Sequence, residues 1–243
     1  MIPYGRQNII DQDIEAVVKI LKSDYLTQGP TTPLFEKKLQ HYTKAKYAVA
    51  VTNATSALHI ACLSLGLGQG DILWTSPISF VASANCARYC GANVDFVDID
   101  SISYNLCPSA LEEKLITAKK KGKLPKIVVP VHLSGQSCEM IKIKELSDKY
   151  GFKIIEDASH AIGGEYKGVK IGKCDYSDIT VFSFHPVKSI TTAEGGLVTT
   201  NNNSIYRNLT LFREHGIERN KKKFLTNNKT PFSFEQQYLG YNY

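Results

Sequence analysis

Residues 47–75 read YAVAVTNATSALHIACLSLGLGQGDILWT, and this stretch decides the fold class. Tyr47 to Val51 is a short run of β-branched, small and aromatic residues, the composition of a strand buried on both faces. Residues 55–65 then carry apolar side chains at helical spacing, and Ile72 to Thr75 returns to strand composition. A strand, a helix and a second strand joined by short turns form the repeating unit of a parallel sheet. The glycines at 66, 68 and 70 superficially match a dinucleotide fingerprint. That motif follows a strand and opens a helix, whereas this one follows a helix and precedes a strand, so the sequence predicts a turn there.

The same alternation extends in both directions. Upstream, residues 11–23 place Ile14, Val17, Val18 and Leu21 on one helical face, and residues 33–42 form a second helix. Downstream, strands are expected at 94–99, 127–131 and 153–155, with helices at 80–89, 109–120 and 139–150 between them. After Asp157 the alternation weakens, although 179–184 and 197–200 still read as strands and 204–214 as a last helix. The expectation is an α/β fold with a mostly parallel sheet flanked by helices. Residues 1–30 form an N-terminal arm and first helix, and residues 31–243 form one large domain without an internal linker.

With 43% hydrophobic and 21% charged residues, the chain has enough apolar material for a sizeable core, which argues against disorder. No apolar run approaches the roughly 20 residues of a membrane-spanning helix, and the N-terminus lacks the layout of a signal peptide, so a cytoplasmic protein is expected. The six cysteines show no paired C-x-x-C spacing and read as reduced thiols; metal binding is not expected. The formal charge of +6 suits an anionic partner. Much of the excess lies at Lys119 to Lys123 and Arg219 to Lys223, which read as solvated loops. Neither run is interleaved with stacking aromatics, which disfavours nucleic acid.

In open parallel sheets ligands bind at the carboxyl ends of the strands, so the residues after each strand are the candidates. Thr52 to Ser56 joins a strand to a helix with small and hydroxyl residues, which suits either a phosphate at the helix start or a simple cap. Phe80 follows a strand and a turn, and suits either the core or the face of a bound ring. Asp157 ends an apolar strand; it either caps the next turn or keeps a pyridine nitrogen protonated. Lys188 follows an apolar strand and a Pro-containing turn, where partial desolvation makes an amine nucleophilic at neutral pH. An imine-forming lysine, a carboxylate, a phosphate cradle and a ring contact are the four requirements of pyridoxal phosphate (PLP).

A longer series of segments resembles the DegT-type (DegT/DnrJ/EryC1/StrS) sugar-nucleotide aminotransferases, a branch of the fold-type I PLP enzymes, over essentially the whole chain. The resemblance is carried by Ile2-Pro3-Tyr4-Gly5-Arg6-Gln7, Leu26-Thr27-Gln28-Gly29-Pro30, Asn53-Ala54-Thr55-Ser56-Ala57-Leu58 and Ser76-Pro77-Ile78-Ser79-Phe80-Val81-Ala82. Glu156-Asp157-Ala158-Ser159-His160-Ala161, Ser183-Phe184-His185-Pro186-Val187-Lys188 and Ile190-Thr191-Thr192-Ala193-Glu194-Gly195-Gly196 complete it. It implies that Lys188 joins the cofactor and moves the proton, that Asp157 pairs with the ring nitrogen, that Phe80 stacks, and that Ala54, Thr55 and Ser183 bind the phosphate. His160 stands near the ring hydroxyl where many relatives carry Gln, a departure shared with the branch acting on UDP-linked 4-keto-6-deoxy-N-acetylhexosamines in pseudaminic acid biosynthesis.

Tyr4 and Asp24, Tyr25, Leu26 and Thr27 match positions that line the sugar-nucleotide pocket. Asn242 matches an asparagine that reaches across a homodimer to the partner's cofactor phosphate and substrate. The resemblance thus implies transfer of an amino group, with glutamate as donor, to C4 of such a keto-sugar in a homodimer with shared active sites. GDP- or dTDP-linked sugars are the alternative substrates, and a PLP-binding fragment without turnover is the alternative of another class. Gly240-Tyr241-Asn242-Tyr243 stops where the family continues with Arg, and the expectation is that a C-terminal small domain is missing.

Overall fold

Residues 5–227, 230 and 232–243 are described by a computed structural model, in which the β–α segments of the sequence pair into one seven-stranded sheet. In chain order the elements are α1 (Asp11–Leu21), α2 (Thr31–Thr43), β1 (Tyr47–Val51), α3 (Ala54–Ser64), β2 (Ile72–Thr75) and α4 (Ala82–Tyr89). They continue with β3 (Asn93–Phe96), α5 (Pro108–Lys120), β4 (Ile127–Val129), α6 (Met140–Tyr150) and β5 (Lys153–Asp157). A small hairpin of β6 (Glu165–Tyr166) and β7 (Val169–Lys170) precedes β8 (Ile179–Ser183), β9 (Gly196–Thr200) and α7 (Asn203–Arg213). A second hairpin pairs β10 (Ile217–Glu218) with β11 (Glu235–Gln236).

Across the main sheet the order is β1-β9-β8-β5-β4-β2-β3, with β9 antiparallel to both neighbours and the other pairings parallel. The helices that join β2 to β3, β3 to β4 and β4 to β5 are what parallel neighbours demand, because the chain must return to the starting edge; from β5 to its parallel neighbour β8 the return runs through the β6–β7 hairpin instead. The apolar runs of the sequence follow from this position. β4, β8 and β9 are buried throughout, whereas the edge strand β3 is largely exposed.

Strand alternation divides the core between two faces. On one face Val49, Ile155, Val181 and Val198 pack against α3, α4 and α7. On the other, Trp74, Val128 and Ile154 pack against α5 and α6, and Phe182, Phe184 and Leu197 pack beside α2. The glycine-rich segment after α3 is a turn, with Gly66 and Gly70 at φ +74 and +90. Its rejection as a nucleotide motif therefore holds.

One expectation needs correction. Lys119 and Lys120 close the last turn of α5, where cations oppose the negative end of the helix dipole, and Lys221–Lys223 form a 3₁₀ turn capped by Asn220; neither run is plain loop. Amphipathic α1 is present, yet it contributes no buried residue. Its Ile14, Val17, Val18 and Leu21 are between 39% and 65% exposed. All six cysteines are free thiols, and Cys62, Cys86, Cys138 and Cys174 are buried. Among the described residues no helix is long and apolar enough to cross a membrane.

Candidate active site

The parallel strands deliver their C-terminal ends to one edge of the sheet, and a cleft of about 590 Å³ opens there. Its lining includes Asn53, Ala54 and Thr55 after β1, Ser79 and Phe80 after β2, Asp157 at the end of β5, and Ser183 and Lys188 at and after β8. The four strand ends singled out in the sequence therefore meet in one place. A larger hollow of about 750 Å³ lies between α5 and α6, but none of those strand-end residues lines it.

Asp157 is the buried centre of the cleft, 4% exposed. Ser83 Oγ donates to Oδ2 at 2.6 Å, and Ser159 donates to Oδ1 from both Oγ (2.6 Å) and backbone N (3.1 Å). Ser83 is itself linked to Ser79 Oγ at 2.8 Å. A short polar side chain on the first turn of α4 thus locks the carboxylate's orientation, as a group that must meet a ligand nitrogen requires. The turn-capping alternative for Asp157 describes its contact with Ser159 but leaves Ser83 unexplained.

Lys188 sits on a turn whose base is fixed and whose tip is open. Phe184, buried, packs edge-to-face on Phe35 with centroids 5.4 Å apart, and its carbonyl accepts from Thr191 Oγ1 (2.8 Å) and Thr192 N (3.0 Å). The turn closes with Lys188 N donating to His185 O at 2.9 Å. Burial lowers the pKa of the Lys188 amine, against a smaller opposing pull from Asp157. A larger share of the amine is therefore neutral and nucleophilic than on a surface lysine.

At the opposite wall, α3 begins at Ala54. The Asn53 side chain accepts from Ser56 N at 2.8 Å, so the capping reading of this segment is correct. Capping and ligand binding coexist, because the first N–H groups of a helix have no intrahelical partner and Ala54 and Thr55 line the cleft. Gly196 on β9 makes this approach possible. A Cβ there would lie 2.5 Å from the Asn53 carbonyl atoms and 2.8 Å from Ala54 N. Phe80 is 72% exposed, which rules out the core alternative and leaves its ring available to a ligand.

His160 completes the lining. Its Nδ1 accepts from Ser134 N at 3.2 Å, and burial and the Lys188 charge lower its pKa against the attraction of Asp157. Sequence reasoning missed Ser83, Ser159 and Ser134 as site residues. Only Ser83 carries a signal, its i, i+4 spacing from Ser79 at the start of a helix that follows a strand end. Asp24, Tyr25, Leu26 and Thr27 are exposed and absent from the cleft lining, and Tyr4 lies outside the described residues. Asn242 is exposed as well. Its neighbours bind the end of α7, with Tyr241 N on Phe212 O (2.8 Å) and Tyr243 N on Arg213 O (3.1 Å), while Tyr243 Oη lies 3.1 Å from His59 Nδ1.

An amine of lowered pKa, an oriented carboxylate, a free helix start and an open aromatic ring suit an aldehyde-bearing, phosphorylated heteroaromatic ligand. Comparison with known proteins agrees. Residues 7–243 match the profile of the DegT/DnrJ/EryC1/StrS aminotransferase family. The chain is 42% identical over 243 residues to a UDP-4-amino-4,6-dideoxy-N-acetyl-beta-L-altrosamine transaminase of Campylobacter jejuni, covering all of this chain and 60% of that protein. The chain therefore spans about 60% of the length of that curated relative.

Among solved structures it resembles Helicobacter pylori PseC, an aminotransferase involved in the biosynthesis of pseudoaminic acid, with a TM-score of 0.87 and 34% identity over 99% of this chain and 61% of that one. NtdA of Bacillus subtilis with bound cofactor PMP gives a TM-score of 0.79 and 30% identity over 96% and 50% of the two chains. The chain belongs to the DegT/DnrJ/EryC1/StrS aminotransferase family.

Proposed function

We propose that this chain carries the cofactor-binding core of a PLP-dependent aminotransferase that moves an amino group, from glutamate, to C4 of a UDP-linked 4-keto-6-deoxy-N-acetylhexosamine. The observation that carries the reading is the convergence of Lys188, Asp157, the start of α3 and Phe80 in one cleft. Identity of 42% to an altrosamine transaminase supports the choice of sugar.

The residues fit the group. Lys188 would hold the cofactor through its amine, and its Nζ would then be placed to hold and return a proton. Asp157, oriented by Ser83 and Ser159, would keep a proton on the ring nitrogen. Ala54 and Thr55 at the start of α3, with Ser183, would bind the phosphate, and Phe80 would offer its ring to the cofactor. PLP supplies an electron sink for the bonds broken at the amine-bearing carbon. Asn242 stands outside this chain's own cleft, and we assign it to the cleft of a second copy in a homodimer; Tyr4 and the Asp24 to Thr27 segment are assigned to the sugar-nucleotide pocket. A cytoplasmic location suits a sugar-nucleotide substrate.

The test is an absorbance spectrum of the purified chain with added PLP, beside Lys188→Ala. A visible band that borohydride removes, present in the parent and lost in the variant, is the expected result. A folded parent without that band would overturn the reading.

A further inference from the structure

Behind the cleft, on the opposite face of β5 from Asp157, a buried polar pair has no part in the function proposed above. His132, 0% exposed, lies 2.9 Å from Glu156, 5% exposed, through Nε2 and Oε2. Glu156 Oε1 accepts from Ser177 Oγ (2.5 Å) and Thr180 Oγ1 (3.1 Å), so the carboxylate is fully occupied. Burial pulls the His132 pKa down, but the neighbouring Cys138 and Glu156 outweigh it and raise the value to about 10. Nε2 carries the proton directed at Glu156, and the Cys138 amide lies 3.2 Å from Nδ1 on the other side of the ring, so both edges of the imidazole are held.

His132 starts a tight loop. Gly135 N returns to His132 O at 3.1 Å, and buried Asn105 grips both flanks, accepting from Leu133 N (3.1 Å) and donating to Gln136 O (2.9 Å). Within it Ser134 has φ 54 and ψ 21, a left-handed conformation that is strained for a non-glycine residue, and Gly135 follows at φ +88. Strain of this kind persists only where the surroundings enforce it and often marks a functional position. Its result is the Ser134 N–H directed at His160 Nδ1, 3.2 Å away. A Cβ on Gly135 would lie 3.0 Å from His160 O, so the loop and His160 meet backbone to backbone.

We infer that the His132–Glu156 pair is a positioning device: it holds residues 132–136 so that the Ser134 amide fixes His160 in the tautomer protonated at Nε2, a neutral donor for one acceptor oxygen of the bound cofactor. The groups facing His160 across the cleft are Lys188 and Asp157, with His185 and Glu194 also in the lining. The ligand half of the inference rests on the proposed function; the tautomer half does not.

The experiment is nitrogen-15 NMR of the histidine rings in the cofactor-free full chain at neutral pH, with the His160 signals assigned by their loss in His160→Gln. The parent should show a single His160 tautomer, protonated at Nε2. In His132→Leu the two ring nitrogens should move towards averaged values, and the titration midpoint of His160 should rise towards that of an ordinary histidine. Glu156→Gln, which preserves shape, should move both in the same direction by less, and serves if His132→Leu does not fold. A parent protonated at Nδ1, or a tautomer unchanged in the variants that fold, overturns the inference. Adding PLP separates it from the function proposed above. If the visible band does not form, that function fails; if the band forms and the His160 Nε2 signal does not shift, the donor role fails.

Discussion

Lys188 and His160 share one electrostatic setting, in which burial favours the neutral form of each and Asp157 favours the charged form. The sign for Lys188 is definite. With its pKa below the usual lysine range, the free amine appears at lower pH than on a surface lysine, and removing Asp157 takes away the one influence that raises it. Reductive methylation followed by peptide mass spectrometry across a pH series should therefore give Lys188 a midpoint below the ordinary lysine range, and a midpoint within that range would contradict this account. Asp157→Asn should lower it further. The meeting of Lys188, Asp157, Thr55 and Phe80 in one cleft was legible in the sequence because each lies at or shortly after the C-terminal end of a strand, and such ends in a parallel sheet share one edge. Ser83 offered only its spacing from Ser79; its contact with Asp157 was hidden, because it reaches the carboxylate from a helix 74 positions earlier and no spacing rule links them. The tautomer of His160 was equally hidden, since a backbone N–H set it rather than a side chain.

The elements found by periodicity agree with the structure to within a few residues, because each strand–helix pair differs sharply in hydrophobic period. Direction was the exception. Periodicity identifies β9 as a strand and says nothing of its orientation, and the antiparallel pairing with β8 follows from the tied-back loop at 184–195, which contains no crossover helix. The hairpins β6–β7 and β10–β11 escaped because two-residue strands are too short to show a period. The reversed β9 is also what brings Gly196 against the start of α3, and this close approach predicts the effect of one added methyl. Gly196→Ala must push apart backbone atoms of β9 and Asn53, so it should destabilise the chain by about 2 kcal/mol, as overpacking does. It should also weaken binding at the helix start. Urea unfolding measures the first and PLP titration the second. An unchanged urea midpoint would mean that Gly196 is not a packing requirement.

On the scale of the whole molecule, α2 and the β6–β7 and α7 segments all return to the sheet, whereas α1 leaves its apolar stripe exposed. Stability must therefore reside in the sheet and the helices packed on it, and Glu156 is an acidic side chain buried within that unit. Burial alone would raise its pKa, yet the hydrogen bonds from His132, Ser177 and Thr180 outweigh burial and bring it below the ordinary carboxylate range. A depressed folded-state value means that the unfolded chain takes up the proton first as pH falls. The group's stabilising contribution is thus fully present above the unfolded pKa of about 4.3 and is lost as pH drops through the folded value. Glu156→Gln removes this titration while leaving the other carboxylates in place, so it should be less stable than the parent at neutral pH, with the gap narrowing as the solution is acidified below about pH 4. Urea midpoints for both proteins at neutral and acidic pH measure that gap. A gap of constant size would show that Glu156 does not titrate in this range, and would move the origin of acid sensitivity to surface carboxylates such as Asp71 and Asp95, whose values are also lowered.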